Sequence, residues 1–158
     1  MKRDPRPVIR AALIALAAGL AAPTTALAAW QGGPERQVVI FGVEAVPGRT
    51  TMDPKISPVV AAQLRRALPN HGFRLIAIKS ERALAGQTVN CSLGAGFVSS
   101  AQLLNPLDVN GRVQIRYELS QFGASMFQSI VTSPADQFNF FDKMQPDNSH
   151  LLVGVGAR

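Results

Sequence analysis

The chain has 158 residues, enough for one domain and short for two. A hydrophobic fraction of 47% against 16% charged residues excludes a disordered chain. The single cysteine excludes an intrachain disulfide framework and makes a four-ligand Cys/His zinc site hard to assemble. The formal charge of +6 is the one figure that points toward an acidic partner.

Residues 1–28 read as a signal peptide. Lys2, Arg3, Arg6 and Arg10 form a basic start, Ala11 to Ala22 is an apolar run, Pro23 breaks it, and Ala26-Leu27-Ala28 is an A-x-A cleavage signal. The run is shorter than the roughly 20 residues that cross a bilayer. The leader has no Arg-Arg pair, no cysteine stands directly after its apolar run to carry a lipid anchor, and its Ala/Arg-rich composition is of bacterial type, which together predict ordinary export to the periplasm or the outside. Removing four basic residues and Asp4 lowers the charge to +3, twelve basic against nine acidic. That is ordinary solubility charge, so no nucleic-acid partner is expected. No later segment is long and apolar enough to span a membrane as a helix.

Residues 29–36 read as a flexible lead-in, and 37–158 as one domain. Gln37 to Val46 is a nearly continuous β-branched run, predicting a central strand that ends at Pro47-Gly48. Val60, Leu64 and Leu68 recur at helical spacing, and Ser57-Pro58 supplies a cap and a first-turn proline, so the helix is expected to start at Ser57. Asn70-His71-Gly72 reads as its stop, with Gly72 free to take the left-handed conformation. The strands on either side of the helix suggest a βαβ-like arrangement.

The rest reads as short strands at sandwich or open-barrel spacing. Phe73 to Arg82 begins apolar and turns polar. Thr88 to Leu93 alternates, with Val89, Cys91 and Leu93 on one face. Gly94-Ala95-Gly96 leads into Phe97 to Leu104, and Asn110-Gly111 is a strong hairpin signal. Arg112 to Ser120 then alternates most clearly, placing Val113, Ile115, Tyr117 and Leu119 inward. Met126 to Thr132, Gln137 to Asp142 and Leu151 to Gly156 complete the pattern. The predicted class is α+β: one helix near the N-terminus packed on a mostly antiparallel β-sheet or sandwich of about seven to eight strands. An eight-stranded outer-membrane barrel is disfavoured by short strands, an intervening helix and only 6% aromatic residues.

No catalytic, cofactor-binding or metal-binding residue set emerges from the motifs. His71 and His150 read as solvated loop residues, and Cys91 as a small buried hydrophobe. No G-x-S-x-G or complete phosphate loop occurs. Phe138, Phe140 and Phe141 form a candidate interaction surface, or else a core strand with one extra phenylalanine.

The chain resembles uncharacterised secreted single-domain bacterial proteins. The resemblance is carried by Asp53-Pro54, Leu64 to Leu68, Gly72-Phe73-Arg74-Leu75, Gly86-Gln87, Asn110 to Ile115 and Leu151 to Val155. These are structural motifs, and no functional residue comes with them.

Three readings follow. The first is an exported binding or interaction module, needing no cofactor, whose partner is an envelope protein or an extracellular ligand. The second is an exported hydrolase, which requires two or more of Glu44, Asp53, His71 and Asp142 within hydrogen-bond reach in a pocket. The third is an envelope-assembly subunit docking by an edge strand such as Leu151–Gly156.

Overall fold

The computed structural model describes residues 34–158. The leader, Trp30 and most of the lead-in lie outside them. Eight strands and one helix follow in the order β1 (Arg36–Pro47), α1 (Pro58–Ala67), β2 (His71–Ala83), β3 (Thr88–Gly94), β4 (Phe97–Asn105), β5 (Arg112–Gln121), β6 (Ala124–Pro134), β7 (Phe138–Met144) and β8 (His150–Ala157). They form two four-stranded antiparallel sheets, β2-β1-β8-β7 and β3-β4-β5-β6. The mostly antiparallel β architecture with one early helix agrees with expectation, and strand greatly outweighs helix.

The burial of β1 explains its lack of alternation. Val38 and Ile40 join the core between the sheets, while Val39, Phe41, Val43 and Ala45 face the second core under the helix. A strand covered on both faces needs apolar residues at every position. β8 is covered in the same way: Leu151, Val153 and Val155 point between the sheets and Leu152 toward the helix. Gly154 and Gly156 complete its helix-side face because rings lie across them. A Cβ at Gly154 would run into Phe41, and one at Gly156 would meet Gln137 O at 2.6 Å and the Phe138 ring. β3 and β5, bare on one side, keep clean alternation, with Val89, Cys91, Leu93, Val113, Ile115, Tyr117 and Leu119 all buried.

Helix α1 starts where Ser57 predicts: its Oγ accepts from the Val60 amide at 3.4 Å, and Pro58 occupies the first turn. Ile56, Val60 and Leu64 anchor it to the outer face of β1 and β2. Each such burial contributes about 1.5–3 kcal/mol. Asp53 caps a separate turn, accepting from the amides of Lys55 at 2.9 Å and Leu75 at 3.2 Å. The Lys55 amide is the main cause that holds the Asp53 carboxyl below its ordinary range.

Four expectations are corrected. The strands flanking the helix are hydrogen-bonded directly and antiparallel, so no βαβ unit exists. The Gly48 amide bonds to Asn70 O at 3.0 Å, and Thr51 to Asp53 are pinned beside Phe73, so the chain re-enters at the end of β1 that it left. Gly72 is not a left-handed cap but a strand residue, close-packed because a Cβ would meet Arg49 Cβ at 2.7 Å. At Asn110-Gly111 only Gly111 takes positive φ (71°); Asp108 Oδ1 organises the turn by accepting from the amides of Asn110 and Arg112, both at 2.8 Å. Strands also run longer than expected: β1, β2, β4, β5 and β6 have 12, 13, 9, 10 and 11 residues, yet hydrogen bonding leaves two separate sheets.

Candidate functional site

The carboxylates and histidines are distributed by the sheets, and no two of Glu44, Asp53, His71 and Asp142 hydrogen-bond to each other. Glu44 is held by Arg74 at 2.7 Å. Asp53 is occupied by backbone amides. Asp142 accepts from His150 Nδ1, with its two oxygens at 2.8 and 2.9 Å. His71 and His150 are not loop residues. Both open strands that flank the same end of β1, where His71 pairs with Pro47 and His150 with Ala45, and their rings stand 5.4 Å apart, edge to face. The pairing of β1 with both neighbours brings together residues far apart in sequence. Among the described residues, no group of three His, Cys, Asp or Glu is arranged to hold a metal ion.

A cavity of about 470 Å³ opens at one end of the inter-sheet space. Glu44, Arg74, Gln145 and Asp147 contribute polar lining around Leu93, Phe97 and Leu151. Ser149 donates its hydroxyl to Asp147 at 2.6 Å, and this bond holds the Asp147 carboxyl below its usual range. Cys91 is buried as expected, and burial raises its thiol pKa, which leaves it a poor nucleophile.

The three phenylalanines separate by strand alternation. Phe138 and Phe140 lie on the helix side of β7, packed edge-on against Phe41 at 5.2 and 5.8 Å. Phe141 lies on the opposite face, stacked on Tyr117 at 4.0 Å and 10° and beside Phe127 at 5.3 Å. Burial pushes the Tyr117 phenol up to about 12. Neither its hydroxyl nor the neighbouring Ser99 hydroxyl has a hydrogen-bond partner of good geometry.

These rings stand where the chain crosses from β6 to β7. At the turn, Asn139 Nδ2 donates to Ser133 Oγ at 3.1 Å. Farther along, the strands part around a groove of about 390 Å³, lined by Leu119, Met126, Phe127, Phe140, Phe141, Asp142 and Lys143. Two of the three predicted phenylalanines therefore line it, and Phe138 does not. β6 pairs with β5 on one side only, and its second edge is unpaired among the described residues. Met126, Phe127 and Ile130 on it are 43%, 45% and 54% exposed. The strand carries no charged residue. Its edge protection is limited to a bulge at Met126 and to Pro134. An apolar groove beside an unpaired strand can seat side chains while the backbone pairs.

Comparison with protein-family models, curated proteins and solved structures returns no match.

The groove is a different edge from the one anticipated. Leu151–Gly156 lies in β8, between β1 and β7, where both sides already carry hydrogen bonds. Its apolar character comes from burial on two faces. β6 reads from sequence only as one more strand, because edge position depends on strand order. Its lack of charge over Ala124–Pro134 is the signal that was there to be noticed.

Proposed function

We propose that this chain is an exported interaction module that docks by strand addition at β6. The single observation supporting this is an uncharged, uncovered edge strand beside an apolar groove lined by Phe127, Phe140 and Phe141. Backbone amides and carbonyls of β6 supply affinity for an extended segment, and the groove selects its apolar side chains. The leader-like residues 1–28 support an envelope or extracellular setting.

Hydrogen–deuterium exchange tests the reading directly. In a solubilised envelope extract, the amides of Phe127 to Ser133 gain protection relative to the purified dilute protein. Ser129→Lys places a charge in the middle of the edge and abolishes that gain. Exchange that is equal with and without extract, and equal in dilute and concentrated protein, removes the proposal.

A further inference from the structure

Four strands lie at the ends of the two sheets, and they are not equally open. β2 carries Arg74, Lys79, Glu81 and Arg82, and β7 carries Asp142 and Lys143. β3 is uncharged, but β2 runs against it. β6 is uncharged too, its second edge carries no ladder hydrogen bonds among the described residues, and β7 meets it far more sparsely than β2 meets β3, through Phe141 on Phe127 and Asn139 on Ser133. Resting on the docking reading above, we infer that the occupant of this edge is a second copy of the chain, paired β6 to β6 about a two-fold axis.

A two-fold interface requires a patch that complements itself. Between the Met126 bulge and Pro134, β6 is regular from Phe127 to Ser133, with Ile130 at its centre. Antiparallel pairing about Ile130 sets Ile130 against its own copy. On the same sheet face Gln128 then meets the partner's Thr132, an amide against a hydroxyl. On the inner face Ser129 meets the partner's Val131, and Phe127 meets the partner's Ser133. Within the paired segment no charge meets a like charge; the charged residues beside it are Asp142 and Lys143, which line the groove. The nearest cation across the sheet, Arg116 opposite Ile130, is turned to Gln102 Oε1 at 3.1 Å. Pairing joins the two β3-β4-β5-β6 sheets into one of eight strands and covers the most exposed apolar side chain of β6.

The test uses the processed full-length protein at about 100 µM, enough to populate a dimer of micromolar Kd. Light scattering should give twice the monomer mass, and Ile130→Lys should give the monomer mass with an unchanged circular dichroism spectrum. Under mild oxidation, Ile130→Cys should form a disulfide-linked dimer. Ile78→Cys, more open than Ile130 at 63% exposure but on β2, should not, and buried Cys91 leaves the wild type uncrosslinked. A wild type of monomer mass, or crosslinking as strong at position 78 as at 130, overturns the inference. A monomer whose Phe127–Ser133 amides still gain protection in envelope extract overturns the second copy and leaves the docking reading standing. A monomer without that protection overturns both.

Discussion

The chain passes between its two sheets twice, and the two crossings are built differently. From β2 to β3 the link is tight and polar. Gly86 and Gln87 are tied to Leu103 by backbone bonds of 2.7 and 3.0 Å, and Lys79–Glu81 and Arg82–Glu35 pairs decorate the outside. β2 runs against β3 and shelters it. From β6 to β7 the strands separate, and three rings replace a hydrogen-bonded seam. The first crossing protects its edges by charge and cover. The second has an aromatic plug behind an uncharged strand, so its integrity depends on packing and its outer edge stays open for pairing.

Truncating the plug should therefore cost far more than removing charges from the other crossing. Phe141→Ala removes the ring stacked on Tyr117, and a loss of about 3 kcal/mol is expected, near the low end for phenylalanine because Phe141 is half-buried. Urea unfolding checks it; a loss below about 1 kcal/mol would show that the rings do not hold the seam. Gly154→Ala drives a methyl group into Phe41 on the central strand pair, with an expected cost of about 1–3 kcal/mol. Replacing both Lys79 and Glu81 by Ala should change stability by less than about 0.5 kcal/mol, since both are half exposed to solvent. If that double variant proved the least stable of the three, the contrast between the crossings would fail.

How much of this could be read beforehand follows from what each residue answers to. Ser57 answers to local chemistry, and the helix starts there. Val113 to Leu119 alternate because one face of β5 is bare, so the sequence carries both strand and facing. β1 and β8 lost alternation through double burial, and β8 consequently looked like a sticky edge when it is an interior strand. The His71–His150 contact and the openness of β6 depend on which strands become neighbours, and no local pattern carries that information. Phe138, Phe140 and Phe141 were legible as a group, but strand alternation sends the first two and the third to opposite faces.

At the base of the aromatic plug the predicted effect at neutral pH is small and of the opposite sign. Tyr117 keeps its buried hydroxyl beside that of Ser99 without a hydrogen bond of good geometry, and Tyr117→Phe retains the ring stack while removing that group. Stability at pH 7 should stay level or rise by up to about 1 kcal/mol. Alkaline pH separates the two proteins. Burial raises the phenol from its ordinary 10.0 to about 12, so the folded chain holds this proton more tightly than the unfolded chain does. Below pH 10 the contribution is fully present; as pH rises toward 12 the unfolded state ionises first and stability falls. The buried Cys91 thiol, raised from 9.0, adds a loss of the same sign that begins lower and is shared by both proteins. Subtracting the Tyr117→Phe unfolding curve from that of the wild type isolates the phenol. The difference should be flat to pH 10 and then move against the wild type. Curves that remain parallel from pH 9 to pH 12 would show that Tyr117 is solvated in the folded state and that the plug is open to water.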